Sequence, residues 1–192
     1  MLITFEGIDG VGKSTQISLL KEFKPSAIIT KEPGGTEFGS WVREFLLKNA
    51  SKVCNKAEIL LFLADRAEHY EKVIKPNYGN LVLSDRGFIS GIAYAMANDD
   101  NLDISELLNL NKFALNGDLG DKFIFLKASE ELIKDRLFTR GNSDDIEKRG
   151  VEYLMRVQGF MSIIFADLKF NVLEIDAGLS VSQIQEEIRK FI

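Results

Sequence analysis

Apolar residues along the chain gather in five short runs rich in β-branched and aromatic side chains: Leu2 to Phe5, Ala27 to Thr30, Leu81 to Ser84, Phe123 to Leu126 and Val172 to Ile175. Runs this short, bounded by polar or turn-forming residues, read as buried strands. Between them the apolar spacing changes to the three-and-four pattern of a helix over 13–24, 37–49, 56–75, 88–97, 104–116, 129–139, 145–168 and 181–191. In the seventh of these, Ile146, Leu154, Val157, Met161, Ile164 and Leu168 fall near one face. Strands joined by stretches long enough for helical crossovers predict an α/β fold with a five-stranded parallel sheet and helices on both faces.

Local signals sharpen the boundaries. Ser180 with Gln183 three residues on has the form of a capping box, and Ser129 precedes Glu130 and Glu131, whose charges suit a helix N-terminus. Gly117-Asp118-Leu119-Gly120 punctuates a turn before the fourth strand, while Gly141-Asn142-Ser143-Asp144-Asp145 is a polar stretch between two helices.

A chain of 192 residues with 45% hydrophobic content can bury one full core, so residues 1–192 are expected to form a single domain. Its apolar stretches, such as Ile59 to Ala64 and Met161 to Ala166, fall far short of the roughly 20 residues of a membrane span. Met1-Leu2-Ile3-Thr4-Phe5-Glu6 lacks the basic start and long apolar region of a signal peptide, which leads to an expected cytoplasmic location. One cysteine, Cys54, and one histidine rule out an intrachain disulfide and a Cys/His zinc site, so any metal is oxygen-bound. A net charge of −5 argues against a nucleic-acid partner, whose phosphates reward a basic stripe.

Gly7-Ile8-Asp9-Gly10-Val11-Gly12-Lys13-Ser14 fits G-x-x-x-x-G-K-[ST] in full, directly after a strand and directly before a helix. Glycines at this spacing let consecutive backbone N–H groups converge on phosphate oxygens, and the helix turns its positive end to the same anion. Lys13 supplies a point charge to the β and γ phosphates of ATP, Ser14 is placed to ligate Mg²⁺, and Thr15 supports the α-phosphate. Asp85 ends the third run at the carboxyl edge of the sheet and is the second candidate to reach Mg²⁺, with Arg86 beside it as a cation for an acceptor phosphate. The nearest approach to a guanine-reading N-K-x-D, Asn55-Lys56-Ala57-Glu58, ends in Glu and comes too early, which argues against a switch GTPase.

Four blocks in order, Phe5 to Thr15, Lys31-Glu32-Pro33-Gly34-Gly35-Thr36, Leu61-Phe62-Leu63-Ala64-Asp65-Arg66, and Asp85-Arg86 followed by Ser90 and Ala93-Tyr94, resemble the thymidylate kinase family. The resemblance covers nearly the whole chain. It implies the P-loop nucleoside monophosphate kinase fold, transfer of the γ-phosphate of ATP to dTMP with Mg²⁺, and a homodimer packed through helices beside the sheet. By that resemblance Asp9 positions the acceptor phosphate and Arg86 holds it. Lys31, where the family usually has Arg, Glu32, Pro33 and Arg43 border the acceptor. Phe62 stacks on the base and Arg66, four residues on, donates to its carbonyl oxygen; Ser90, Gly91 and Tyr94 complete the acceptor pocket, with Tyr94 packed against the deoxyribose. Gly87, Gly91 and Ala95 depart from the family's usual Tyr, larger side chain and base-reading Gln. The bacterial type with Gly10 in the loop pairs it with a basic lid, here 136–150, in which Arg140 is the expected catalytic arginine, Arg149 the second candidate, and Arg136 an ATP-binding residue. His69 reads as a partly exposed histidine without a role. A kinase for another nucleoside or monophosphate and a non-catalytic ATP-binding module are the alternatives.

Overall fold

The computed structural model describes residues 1–49, 53–140 and 150–192, with the backbone alone at 49 and 137–140. Five strands, β1 (Leu2–Glu6), β2 (Ile28–Lys31), β3 (Val82–Asp85), β4 (Lys122–Lys127) and β5 (Val172–Asp176), form one sheet in the order β2-β3-β1-β4-β5. Every pairing is parallel, with Phe5 opposite Asp85 and Lys31 opposite the same Asp85. β1 lies in the middle because it can be covered on both faces: Ile3, Thr4, Phe5 and Glu6 are all buried.

Eight α-helices surround the sheet among the described residues: α1 (Lys13–Phe23), α2 (Glu37–Asn49), α3 (Asn55–His69), α4 (Phe88–Asn98), α5 (Ile104–Ala114), α6 (Glu130–Arg140), α7 (Val151–Leu168) and α8 (Val181–Phe191). α1 packs with α8 and lies against β1, β2 and β3; α4 packs with α7, flanked by α3, α5 and α6. Phe123 is the hub under α4 and α7, with Phe88, Phe165 and Phe170 around it at ring separations of 5.1 to 5.8 Å. Burying each such ring contributes about 2–3 kcal/mol, before any geometric preference between rings.

The capping box at Ser180 and Gln183 forms as its spacing predicts. One helical pattern changes form before its expected end, and another is described over only part of its length. The 56–75 pattern is α3 as far as His69, then a π turn over Tyr70–Ile74 and a 3-10 turn over Lys75–Asn77. Pro76 explains this, since it has no N–H to donate and its ring would meet the carbonyl four residues back, so the last turns must open. The 145–168 pattern is observed as α7 from Val151 onward; residues 145–149 lie outside the described residues.

Every strand runs one residue beyond the carboxyl end of its apolar run, and in β1, β2 and β3 that residue is Glu6, Lys31 and Asp85. Backbone ladder bonds do not depend on side-chain polarity, so the sheet carries these three polar residues to its carboxyl edge. That edge holds the candidate site.

Candidate active site

The loop between β1 and α1 needs its glycines. Gly7 has φ +139°, and a Cβ there would lie 2.6 Å from the Leu126 carbonyl oxygen, while Gly12 caps α1 at φ +98°. Ile8 and Val11 turn into the core and anchor the loop from below. Lys13 Nζ is buried and donates to the carbonyls of Gly7 (2.9 Å) and Ile8 (3.0 Å), so the ammonium sits inside the ring of loop backbone. Burial, followed by the charge of Arg86, lowers its pKa to about 8. Ser14 Oγ donates to Asp85 Oδ2 at 3.0 Å, and Thr15 lies exposed beside it.

Arg86 adopts the left-handed conformation, φ +72°, directly after the strand. Conformations of this kind cost about 1–3 kcal/mol and persist where the surroundings hold them. Here the Arg86 N–H donates to Phe5 O (2.9 Å), and the guanidinium donates to Gly7 O (2.9 Å), Ser90 Oγ (3.1 Å) and Asp9 Oδ1 (2.7 Å). Tyr94 O–H donates to the other Asp9 oxygen at 3.0 Å, and the Arg86 guanidinium lies 5.4 Å from the Tyr94 ring centre. Burial would raise the Asp9 pKa, but Arg86 and Lys13 outweigh it and hold the carboxyl well below the usual range. Beneath them Glu6 is fully buried and accepts from both the N–H and the hydroxyl of Ser90; burial pushes its pKa up.

A second cluster lies across the edge at β2 and α3. Glu32 accepts from Arg66 Nε at 2.7 Å and from His69 Nδ1 at 2.8 Å. His69 Nε2 lies 2.6 Å from Thr30 Oγ1, and Arg66 donates from NH1 to Asn111 Oδ1 at 2.5 Å. Burial alone would raise the Glu32 pKa; the Arg66 charge and the His69 bond bring it down to about 2. Asp65 accepts from the Gly34 N–H at 3.2 Å, and burial together with Glu32 raises it to about 6. Arg43 donates to Pro33 O at 3.3 Å.

A cavity of about 430 Å³ opens among Asp9, Lys13, Ser14, Lys31, Arg43, Asp85, Arg86 and Arg136. A narrower cleft is lined by Phe62, Arg66, Gly91, Tyr94, Ala95 and Asn111. Gly91 provides room, since a Cβ there would stand 3.0 Å and 3.1 Å from the two terminal nitrogens of Arg66.

The residues singled out in the sequence are therefore brought together, with some changes of setting. Both oxygens of Glu32 face Arg66 and His69. Arg136 donates to Gly10 O (3.0 Å) and Ala177 O (2.8 Å), tying α6 to the phosphate loop and to the turn after β5. Arg140 closes α6, but its side chain, Arg149 and most of the 136–150 segment lie outside the described residues. The expectation of a partly exposed His69 is wrong: it is 0% exposed, because Thr30 and Glu32 satisfy both ring nitrogens where the turn covers it. Glu6, Asp65, His69 and Asn111 were not among the site residues expected from the sequence; Glu6 and Asp65 lie inside the blocks that carry the resemblance, whereas His69 and Asn111 carry no local signal.

A phosphate loop at the central strand, an acid and an arginine at the neighbouring strand end, and an adjoining cleft for a flat group define a P-loop nucleoside monophosphate kinase, a phosphotransferase. Residues 5–188 match the family model described as thymidylate kinase. The chain is 76% identical over its full length, and that of the relative, to a thymidylate kinase of Campylobacter fetus subsp. fetus, and 48% identical to one from a Sulfurovum species, covering 100% of this chain and 99% of that one. A crystal structure of thymidylate kinase from Ehrlichia chaffeensis superposes with a TM-score of 0.78 at 29% identity, covering 99% of this chain and 97% of that one. The chain belongs to the thymidylate kinase family.

Proposed function

We propose that the site transfers the γ-phosphate of ATP to dTMP, giving dTDP and ADP, with the donor in the phosphate loop and the acceptor base in the cleft beside Arg66. The observation that carries this reading is the Arg86–Asp9–Tyr94 unit, which stands between the two and bonds to the loop on one side and lines the cleft on the other. Two nucleotides bring their negative charge together, and a fixed cation between acceptor and donor phosphates lowers that repulsion and aligns them for in-line attack.

The ATP phosphates would be held by the backbone from Gly7 to Thr15, with Lys13 exchanging its two carbonyl acceptors for phosphate oxygens. Arg136 closes the nucleotide side. Ser14 Oγ and Asp85 Oδ2, 3.0 Å apart at the exposed end of the loop, are hard oxygen donors that fit Mg²⁺. Among the described residues no cluster of three or more His, Cys, Asp or Glu could hold a metal, so its other ligands would be phosphate oxygens and water. When bound, Mg²⁺ neutralises charge on the departing phosphates. Arg86 holds the acceptor phosphate and Asp9, bonded to Arg86 and Tyr94, positions it, with Lys31 and Arg43 at its rim. Phe62 stacks on the base, Arg66 donates to its carbonyl oxygen, and Tyr94, with Ser90 and Gly91 behind it, packs against the sugar. Arg140, with Arg149 as second candidate, supplies the lid cation.

The chain would act in the cytoplasm as a single domain with a lid over 136–150 and no nucleic-acid partner, and as a homodimer. The exposed Phe38 and Trp41 on α2 and Leu60 on α3 support pairing through that face. Among the described residues no helix is long and apolar enough to cross a membrane.

The test is Mg²⁺-dependent ADP release from ATP with dTMP, dUMP, ribose TMP, dCMP, dGMP and thymidine in parallel. Preference for dTMP is expected. Preference for another acceptor would move the assignment to a kinase of that acceptor, and release independent of any acceptor would exclude the transfer reaction.

A further inference from the structure

We propose that His69, remote from the reacting phosphates, is a positioning residue that aims Arg66 at the acceptor base through Glu32 and thereby sets acceptor affinity and base selectivity. This rests on the assignment of Arg66 to the base.

Arg66 is held from two sides: Nε by Glu32 and NH1 by Asn111, while NH2 makes no hydrogen bond among the described residues. The guanidinium therefore enters the cleft with one donor group left for a ligand, and its aim depends on where the Glu32 carboxylate stands. That carboxylate sits on a turn, and among the described residues its second oxygen is held by His69 alone. Exposures of 0% for His69, 3% for Arg66 and 7% for Glu32 leave water little access as a substitute for any of the three.

The chemistry gives the relay a direction. An ionised carboxylate only accepts, so His69 Nδ1 carries the proton donated to Glu32, and a neutral ring then accepts at Nε2 from the Thr30 hydroxyl. Thr30 is fixed on β2, so a backbone-anchored hydroxyl orients the imidazole, the imidazole orients the carboxylate, and the carboxylate orients the guanidinium. The ring also backs the turn directly: a Cβ on Gly35 would lie 2.5 Å from its Cδ2. His69 touches neither cavity described above, so its effect on acceptor choice must pass through Glu32 and Arg66.

The experiment measures kcat and KM for dTMP, dCMP and ATP in His69→Leu, His69→Asn, Arg66→Ala and the double variant. A cytosine amino group replaces the carbonyl that Arg66 would face, so the dTMP to dCMP ratio of kcat/KM reports the aim of the guanidinium. His69→Leu is expected to raise the KM for dTMP about tenfold and to lower that ratio about tenfold, with the KM for ATP within about twofold. His69→Asn keeps an N–H near the Nδ1 position and recovers most of both. In the Arg66→Ala background His69→Leu adds nothing further, the signature of two residues acting as one unit. Equal effects in the two backgrounds, an unchanged selectivity ratio, or no rescue by Asn would overturn the proposal. An unchanged KM for dTMP in Arg66→Ala alone would instead remove Arg66 from the base and end the proposal by that route. If His69→Leu does not fold, Thr30→Val reads the relay from its far end: a smaller loss in the same direction is expected, and no change refutes it.

Discussion

Replacing Gly91 by alanine should set stability and acceptor affinity against each other. The new Cβ would stand 3.0 Å from NH1, 3.1 Å from NH2 and 3.5 Å from Cζ of Arg66, whereas ordinary contacts begin near 3.4 Å. The guanidinium must retreat by about 0.4 Å, but Nε is tied to Glu32 at 2.7 Å and NH1 to Asn111 at 2.5 Å, so the retreat tilts the donor face aimed into the cleft. A hydrogen bond from a charged donor is worth about 1.5–3 kcal/mol; losing roughly half gives about 0.8–1.5 kcal/mol, or roughly a four- to twelvefold rise in the KM for dTMP. Alanine in place of glycine within α4 favours the helix by about 0.8–1 kcal/mol, which offsets the crowding and leaves unfolding free energy within about 1 kcal/mol of the parent. Initial rates of ADP release over a dTMP titration at saturating ATP, with a thermal melt on the same sample, read both quantities. The KM for ATP should not move, because Lys13, Ser14 and Asp85 are untouched. A Gly91→Ala enzyme with the parental KM for dTMP would refute the argument that this glycine exists to seat Arg66.

Ser14→Ala removes one of the two oxygens proposed for Mg²⁺ and should raise the Mg²⁺ concentration for half-maximal ADP release about tenfold or more; an unchanged Mg²⁺ titration would reject the site. The paired carboxylates give opposite pH dependences. Glu32, held at about 2 against an ordinary 4.5, contributes stability above pH 4.5 that is lost as pH falls toward 2. Asp65, raised to about 6 from 3.8, binds its proton more tightly when folded, so its contribution is complete below pH 3.8 and is lost as pH rises through 6. Its full swing is about 3 kcal/mol, and Asp65→Asn should flatten the fall in melting temperature between pH 4.5 and 7; identical slopes in the two proteins would contradict this.

What could be read in the sequence was what is local. The phosphate loop, the capping box and the strand runs each depend on residues within a few positions, and each stands where its spacing predicts. Phe62 and Arg66 could be paired because four residues is one helical turn. The cluster that seats Arg66 could not, since Glu32, His69 and Asn111 come from a turn and two helices that meet only through the tertiary fold. A lone histidine carries no pattern, and burial reverses its reading. Gly91 looked like the loss of a larger side chain near the base, whereas the structure makes it the space an arginine occupies. Pro76 is visible in the sequence, and the apolar spacing stops at residue 75 just before it, but the ring also interferes with the turns that precede it.

The sheet order places β1, the earliest of its five strands in chain order, at the centre. On a ribosome adding about 5–20 residues per second, Leu2 to Phe5 emerge several seconds before β3, and longer before β4, the two strands that pair with them. During that interval an apolar segment with β-strand character waits with both edges open, a ready template for another nascent chain. A slower pace of translation between residues 6 and 122 lengthens that interval, a vulnerability separate from the stability of the finished fold.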